Sequence, residues 1–327
     1  MRFIELFAGI GGFRHGLESV CFTNSQYEIQ GTGDKEGQFI QQPHKCSNGF
    51  TCVWANEINK YACQIYKKNY GEKGELYEGD IATVNAGNIP DHELLVGGFP
   101  CQSFSIAGQR RGFNDTRGTL FFEIERICRA KKPRYILLEN VKGLLSHDSG
   151  RTFQTILKVL TDIGYILQWE VLNSKNFGVP QNRERVFIVG NIRGECRPEV
   201  FPLGAYDKKD DGVQPEKKRQ GAWIPCINTR YGQRWSGEGY IANQQSPQQE
   251  RLISDSADSI RREAYSTVSR IRRLTPIECE RLQGFPDGWT AGISDTQRYK
   301  CLGNAVTTSV ITEIGKKLYD TKDNRSK

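Results

Sequence analysis

Short apolar runs alternate with amphipathic stretches along the first 190 residues of the chain. The apolar runs have the length of buried strands, and the segments between them place apolar residues at helical spacing, as in Phe153, Ile156 and Leu160. Strands that alternate with helices predict an α/β fold with a doubly wound, mostly parallel sheet. The predicted strands are 2–7, 51–57, a third that ends near residue 78, 94–96, 135–141, 166–172 and 185–189.

The pattern changes after about residue 191. Residues 198–219 carry prolines and charge runs without a helical period. Helical patterns return at Thr275, an N-cap residue followed by Pro276 at the first helical position, and along the closing stretch of the chain. We therefore expect a larger domain built from residues 1–190 and 298–327, and a smaller, loop-rich domain over 191–297.

A polar insert separates the first predicted helix from the second strand. It covers about residues 22–50 and is rich in Gly, Gln and Asn, without a repeat or a strong period. Long segments of this kind lie on the surface of compact domains. We expect a surface excursion, and the sequence assigns no role to it.

Composition narrows the class of protein. A chain of 327 residues with 37% hydrophobic residues can bury one large core and a smaller one. No apolar run approaches the roughly 18–20 residues that span a bilayer, and the chain opens on a strand-like run, so neither a membrane span nor a signal peptide is expected. The net charge of +7 is compatible with a polyanionic partner but does not require one.

The ten cysteines are scattered, which favours a reduced, intracellular protein. Cys46 and Cys52 are the closest pair. No second cysteine pair completes a zinc set around them, so no metal site is expected.

The stretch 97–105 carries the strongest chemical signal. It follows the apolar run 94–96, and Pro100 fixes its own φ and stiffens the turn that presents Cys101. A free cysteine is most often a small buried apolar residue. Here polar residues follow immediately, and then a basic, glycine-rich loop with Arg110 and Arg111. These neighbours favour a nucleophilic thiol at the carboxyl edge of the sheet, where open α/β sheets bind ligands.

A glycine-rich turn and a following acid indicate a ligand site near the first two strands. Gly9, Gly11 and Gly12 lie where the first strand turns into a helix, and such glycines let the backbone approach a ligand. Arg14 stands where a dinucleotide fingerprint would need its third glycine, which argues against NAD. Glu57 ends the second strand and is placed to hold ribose hydroxyls, although a solvated acid at the start of a helix explains it equally well.

Further candidates follow along the chain. Glu139 ends the apolar run 135–141, where a carboxylate is often merely solvated. Arg183 and Arg185 alternate along a predicted strand and should point to the same face, with a solvated ion-pair role as the alternative. An Arg- and aromatic-rich segment could read base edges and phosphates or pack inside a small domain; it includes Arg230, Tyr231, Arg234, Trp235 and Tyr240.

Six of these stretches, in this order, resemble the motifs of the C5-cytosine DNA methyltransferases of bacterial restriction–modification type. The resemblance spans nearly the whole chain. Its motifs are Phe7-Ala8-Gly9-Ile10-Gly11-Gly12, Phe99-Pro100-Cys101-Gln102, Glu139-Asn140-Val141, Gln181-Asn182-Arg183-Glu184-Arg185, Arg273-Leu274-Thr275-Pro276 through Gln283-Gly284-Phe285-Pro286, and Gly303-Asn304-Ala305-Val306.

The resemblance implies S-adenosyl-L-methionine as the cofactor and S-adenosyl-L-homocysteine as its product. Glu57 would hold the ribose and Asp80 the adenine amino group. Ile58 stands where the family often has a tryptophan that stacks on adenine, so the sequence departs from the pattern there. The other residues implied in the cofactor pocket are Phe7, Gly9, Gly11, Gly12, Ile81, Pro100, Leu120, Asn304 and Val306.

The resemblance also implies the reaction. Cys101 would attack C6 of a cytosine flipped out of duplex DNA, Glu139 would share a proton with N3, and the methyl group would go to C5. Arg183 and Arg185 would neutralise charge near O2 and hold the ring. Residues 105–115 would form a lid over the base. The residues expected to contact DNA are Ser105, Arg110, Arg111, Arg230, Tyr231, Arg234, Trp235 and Tyr240.

Two other readings stay open at this point. One is a methyltransferase that uses the same fold and nucleophile on cytosine in transfer RNA, and the other is a catalytically inactive DNA-binding module. The long segment 191–270 favours duplex DNA, and Cys101, Glu139 and Arg185 favour an enzyme. The expected setting is the cytoplasm, in association with the nucleoid, with the protein acting as a monomer to protect host DNA. A cognate restriction endonuclease that acts independently is compatible with this reading.

Overall fold

A seven-stranded sheet organises the part of the chain that the structure describes. The structure is a computed structural model, and it describes residues 1–20, 49–71, 74–100, 120–195, 198–203, 224–225, 240–241 and 272–323. The strands of the sheet are β1 (Arg2–Leu6), β2 (Thr51–Glu57), β3 (Leu76–Glu78), β4 (Leu94–Gly98), β5 (Tyr135–Val141), β6 (Tyr165–Asn173) and β7 (Glu184–Ile192).

The order of strands across the sheet is β3-β2-β1-β4-β5-β7-β6. The first five pair in parallel, and β7 runs antiparallel to both β5 and β6. The chain therefore winds outward from β1 in both directions, as a doubly wound fold does. This confirms the predicted α/β class and its mostly parallel sheet.

Seven α-helices accompany these strands among the described residues. They are α1 (Gly12–Glu18), α2 (Lys60–Tyr70), α3 (Leu120–Lys131), α4 (Arg151–Asp162), α5 (Pro276–Leu282), α6 (Asp295–Asn304) and α7 (Thr308–Asp323). One buried cluster packs α1 and α7 on one face of the sheet, and a second packs α3 and α4 on the other. The sheet thus lies between two helical layers, so its strands read as continuous apolar runs.

Helices α1 and α7 pack closely against each other at Gly16. A Cβ at Gly16 would lie 2.6 Å from Cβ of Ile311 and 2.7 Å from the carbonyl oxygen of Thr308. The hydroxyl of Thr312 donates to the carbonyl oxygen of Gly16 at 2.9 Å. Only glycine fits at position 16, and the two helices are locked at this point.

A third cluster joins the segment that begins at Leu274 to the larger domain. Trp289 and Phe285 are buried together with Ile10 of the glycine-rich turn and Ile65 of α2. The indole Nε1 of Trp289 donates to the carbonyl oxygen of Ile10 at 3.0 Å. The division of the chain at residue 297 stays a prediction, and this packing favours beginning the second part of the larger domain nearer Leu274.

Several predicted boundaries need correction. Strand β1 ends at Leu6, because Phe7 has a φ of 56° and turns the chain out of the strand. Phe50, counted in the polar insert, is buried in the core; residues 22–48 lie outside the described part of the chain. Arg183 precedes β7 and does not share a strand with Arg185.

Short two-residue strands complete the description. Gln181–Asn182 pairs in parallel with Ile224–Pro225, and Tyr240–Ile241 pairs antiparallel with Arg272–Arg273. Helix α5 begins as predicted, with Thr275 and Glu278 forming a capping box. Within the described residues, no helix has both the length and the apolar character to cross a membrane.

Candidate active site

A cleft of about 300 Å³ opens at the carboxyl ends of β1, β2, β4 and β5. Ligands of open α/β sheets bind at this edge. Residues from five of the six sequence motifs line the cleft, together with the acid that ends β2. The predicted site residues among them are Phe7, Gly9, Glu57, Pro100, Glu139, Arg183, Arg185 and Asn304.

Glu57 is held at one side of the cleft by main-chain donors. Its Oε2 accepts from the N–H of Gly9 at 2.7 Å, and its Oε1 accepts from the N–H groups of Ile58 and Asn59 at 2.9 and 2.7 Å. These three bonds fix the carboxylate without involving another charge. Oε2 accepts only one of these bonds and keeps a further lone pair, which suits the binding of a hydroxyl group.

The three glycines of the first motif differ in what surrounds them. Gly9 has a φ of +55°, and the nearest atom to a Cβ built there is 4.0 Å away, so the space beside it is open to the cleft. Gly11 and Gly12 do not line the cleft. A Cβ at Gly11 would lie 2.3 Å from the Tyr70 ring, and one at Gly12 would lie 2.8 Å from Val306. At these two positions the glycines admit protein side chains.

Arg14 explains why Tyr70 lies so close. Its guanidinium lies over the Tyr70 ring at 4.0 Å and donates to Tyr66 and Glu75 at 3.1 and 2.9 Å. The Tyr70 hydroxyl in turn donates to the carbonyl oxygen of Gly11 at 2.8 Å. Arg14 thus joins α1 to α2 and, through Tyr70, supports the glycine-rich turn.

The remaining predicted cofactor residues lie around the cleft but do not line it. Asp80 caps a short helical turn through the N–H of Ala82, and Ile81 and Val306 are buried in the core. Leu120 begins α3 and is half-buried. Ile58, at the position where the family often has tryptophan, is 69% exposed, so its side chain offers an apolar surface to a ligand.

Glu139 and Arg185 form an ion pair at the other side of the cleft. Nε of Arg185 lies 3.0 Å from Oε1 of Glu139, and the two side chains are 16% and 13% exposed. The pairing follows from the sheet register: Val141 lies opposite Arg185, which makes Arg185 a diagonal neighbour of Glu139. Burial raises the pKa of the Glu139 carboxyl, and the guanidinium groups of Arg185 and Arg183 oppose that shift.

Two further residues of β4 and β5 shape the site. A Cβ at Gly98 would lie 3.1 Å from Oε2 of Glu139, so the glycine leaves room for the carboxylate. Nδ2 of Asn140 donates to the carbonyl oxygen of Phe99 at 2.7 Å. Asn140 therefore fixes the backbone immediately before Pro100, which is the last described residue before Cys101.

Arg183 is 2% exposed and reaches a different partner from Arg185. Its Nη2 donates to the carbonyl oxygens of Gly303 and Ala305 at 3.2 and 2.8 Å. The strand predicted to carry both arginines does not include Arg183, and their joint action on the base stays a prediction. Both still line the cleft, but they contact different groups.

Several predicted residues lie outside the described part of the chain. They are Cys101, Ser105, Arg110, Arg111, Arg230, Tyr231, Arg234 and Trp235; Tyr240 is described only through its backbone, in a short strand. Their roles stay predictions. Across the described ranges, no group of three or more His, Cys, Asp or Glu side chains could hold a metal ion.

Sequence reasoning missed several polar residues that build the site. Asn59 caps α2 through the N–H groups of Tyr61 and Ala62 and also lines the cleft. Glu5 in β1 and Gln283 after α5 are fully buried and hydrogen-bonded. An acid inside an otherwise apolar strand was the available signal for Glu5. Gln283 offered no signal beyond its place in a motif.

Comparisons with known proteins identify the family of the chain. The family model for C-5 cytosine-specific DNA methylase matches residues 1–222 and 205–320. The Type II methyltransferase M.SsoII of Shigella sonnei is 38% identical over 98% of this chain and 81% of its own length. The Type II methyltransferase M.HhaI of Haemophilus parahaemolyticus is 36% identical over 96% of this chain and 93% of its own length.

A solved structure supports the fold independently. The Dnmt2 methyltransferase of S. pombe matches with a TM-score of 0.68 over the full length of both chains, at 21% identity. At that identity the likeness concerns the fold alone. Together with the family match and the two relatives, it confirms the predicted resemblance: the chain belongs to the C-5 cytosine-specific DNA methylase family and is a DNA cytosine methyltransferase.

Proposed function

We propose that this protein binds S-adenosyl-L-methionine in the cleft and methylates C5 of a cytosine flipped out of duplex DNA. The observation that carries the proposal is the sharing of one cleft by two differently held carboxylates, Glu57 and Glu139. The first suits ribose hydroxyls and the second suits a ring nitrogen that gains charge. Pro100 lines the same cleft one residue before Cys101.

The residues present fit the cofactor. The open space beside Gly9 admits a ligand next to the backbone, and Glu57, which accepts from the Gly9 N–H, keeps a free lone pair on Oε2. Exposed Ile58 supplies an apolar surface for a purine ring, and Asp80 follows β3 at the same edge of the sheet. Bound S-adenosyl-L-methionine supplies the methyl group that C5 takes up.

The side chains then divide the chemistry of the base. The Cys101 sulfur forms a bond to C6, which moves electron density toward N3 and makes C5 nucleophilic. Glu139, whose pKa is raised by burial, carries the proton for N3, and Arg185 beside it stabilises charge at O2. Loss of the C5 proton to a base then breaks the C6–S bond and releases the thiolate. Extruding the base costs a few kcal/mol, which the enclosing contacts must offset.

The biological setting follows from the relatives. Two proteins similar along nearly the whole chain are named Type II methyltransferases. We infer that this protein acts in the cytoplasm on nucleoid DNA and protects host sites in a restriction–modification system. Residues 191–271 would read the site, with the arginines and aromatics of the segment 230–240 among the contacts.

A tritiated-methyl transfer assay tests the proposal. Purified full-length protein should label duplex DNA and leave transfer RNA unlabelled, and Cys101→Ser should abolish labelling while retaining cofactor and DNA binding. Duplex DNA with 5-fluorocytosine at the target should form an adduct that survives denaturation, since C5 then lacks the proton whose loss releases the sulfur. Wild-type labelling by Cys101→Ser, or preferential labelling of transfer RNA, would refute the proposal.

A further inference from the structure

Arg183 clamps the backbone of a loop that borders the cofactor side of the cleft. This loop, residues 303–307, comprises the last two residues of α6 and the link to α7, and it contains Asn304, which lines the cleft. Nη2 of Arg183 donates to the carbonyl oxygens of Gly303 and Ala305, one on each side of Asn304. The position of Asn304 in the cleft therefore depends on the side chain of Arg183, which lies about 120 residues earlier in the chain.

Gln283 grips the same loop at its two ends. Its Nε2 donates to the carbonyl oxygen of Leu302 at 2.8 Å, and its Oε1 accepts from the hydroxyl of Thr307 at 2.9 Å. The N–H of Thr308 donates to the main-chain oxygen of Gln283 at 2.9 Å. All three of these hydrogen bonds are made by one residue, which is fully buried.

The network is continuous with the motif that carries Arg183. Nε2 of Gln181 donates to the carbonyl oxygen of Leu282, next to Gln283, at 2.8 Å. The hydroxyl groups of Ser174 and Thr307 lie 2.9 Å apart. Because these polar groups are buried, removing one of them leaves its hydrogen-bond partner unsatisfied. The observed position of the loop would then be destabilised.

We propose that Arg183 and Gln283 are positioning residues for the cofactor, which hold the 303–307 loop so that Asn304 stands in the cleft. The inference rests on the proposed function, because it takes the cleft to bind S-adenosyl-L-methionine. It gives the two arginines of one motif separate tasks. Arg185 acts on the base beside Glu139, whereas Arg183 acts through the loop on the cofactor.

The contacts argue for this division over joint action on the base. Arg185 contacts a carboxylate that faces the cleft, and its role is electrostatic. Arg183 instead uses one nitrogen, Nη2, to contact two main-chain oxygens, so it holds the backbone on both sides of Asn304. Joint action predicts that both substitutions slow methyl transfer and spare cofactor binding. If Arg183 instead positions the loop, substitution of Arg185 should spare cofactor binding and substitution of Arg183 should weaken it.

Binding of S-adenosyl-L-homocysteine to the full-length protein, measured calorimetrically without DNA, separates the two cases. Arg183→Met should raise Kd at least 10-fold, whereas the matched control Arg185→Met should change it less than 3-fold. Gln283→Glu, which keeps the shape but loses the donor to Leu302, should raise Kd about 5- to 10-fold. An Arg183→Met protein that melts like the wild type and binds within 3-fold of it would overturn the inference.

A milder variant and a second measurement keep the proposal testable if Arg183→Met fails to fold. Arg183→Lys, whose ammonium nitrogen is one bond short of the position of Nη2, should raise Kd about 3- to 5-fold, and wild-type affinity there would also count against the clamp. Amide hydrogen exchange over 302–308 in cofactor-free protein should speed up with either substitution of Arg183 and stay unchanged in Arg185→Met. Unchanged exchange in a folded Arg183 variant would contradict the proposed contact.

A double-mutant cycle tests whether Arg183 acts through Asn304. Asn304→Ala alone should weaken binding, and adding Arg183→Met should weaken it much less than in the wild-type background. Fully additive effects would overturn the route through the loop. Wild-type protein that binds no S-adenosyl-L-homocysteine would refute the proposed function, whereas wild-type binding with unaffected Arg183 variants would refute only this inference.

Discussion

The two sides of the cleft hold the same chemical group in different ways. On the cofactor side, Glu57 accepts three main-chain N–H bonds. On the base side, Glu139 pairs with the Arg185 guanidinium, and burial raises the pKa of the Glu139 carboxyl. Main-chain donors fix the orientation of a carboxylate, which suits the binding of a ligand. Burial of a carboxyl favours its protonated form, which suits the transfer of a proton. The partners of a carboxylate, rather than its identity, separate ligand binding from proton transfer.

The largest expected effect comes from removing the proton on the base side. Glu139→Gln keeps the size and polarity of the side chain but cannot protonate a ring nitrogen, so methyl transfer should fall about 10²- to 10⁴-fold. Single-turnover labelling of duplex DNA measures this. Binding of S-adenosyl-L-homocysteine should stay within 3-fold of wild type. A comparable loss of cofactor affinity would show that the two sides of the cleft are not independent.

A smaller effect is expected on the cofactor side. Glu57→Ala removes charge-assisted hydrogen bonds worth about 1.5–3 kcal/mol, so Kd for S-adenosyl-L-homocysteine should rise about 10- to 100-fold. Glu57→Gln, which keeps one acceptor oxygen, should have the milder effect. Calorimetry gives both constants, and turnover at saturating cofactor should be nearly preserved. Equal losses of turnover and affinity would contradict the assignment of Glu57 to binding alone.

A third carboxylate, Glu5, sharpens the comparison because it has neither the three main-chain donors of Glu57 nor the guanidinium ion pair of Glu139. Its Oε1 accepts from the N–H of Phe13 at 3.1 Å, and its Oε2 is buried without a hydrogen bond. Burial raises the pKa of Glu5 to about 8, despite the nearby Arg14. The charged and titratable groups that face it come from three elements: Arg14 and Glu18 on α1, Cys52 on β2, and Tyr66 and Tyr70 on α2.

The pH dependence of stability follows from that raised pKa. The folded state keeps the Glu5 proton up to about pH 8, whereas the unfolded chain loses it near 4.5. This contribution to stability is complete below pH 4.5 and is lost as the pH rises through 8, by about 1 kcal/mol between pH 7 and 9. Urea unfolding across that range should show the loss in wild type and not in Glu5→Gln. An identical slope in the two proteins would contradict it.

The fold was predictable where local sequence decides the outcome. Strands β2 and β5 have the predicted bounds, because an apolar run is a local property of the sequence. The pairing of Glu139 with Arg185 depends on the order of strands in the sheet, which the local sequence pattern does not give. The register of β5 against β7 then places them side by side.

Tertiary contacts explain what the sequence left out. The glycines at 11 and 12 looked like ligand-facing positions, yet they admit Tyr70 and Val306, which come from distant parts of the chain. Arg183 was assigned to a strand face, but its partners lie about 120 residues away. Buried polar networks of this kind have no periodic pattern, so spacing and composition cannot reveal them.

The contact between Gly16 and Thr312 joins residues that are 296 positions apart. A ribosome synthesises the glycine-rich turn early, but the helix that covers its other side emerges almost three hundred codons later. Until then α1, which follows the glycine-rich turn, lacks its packing partner α7. The loop that carries Asn304 also lacks the helix that follows it. Incomplete chains released from translation are therefore expected to lack a finished methyl-donor pocket, which would keep fragments from modifying the chromosome.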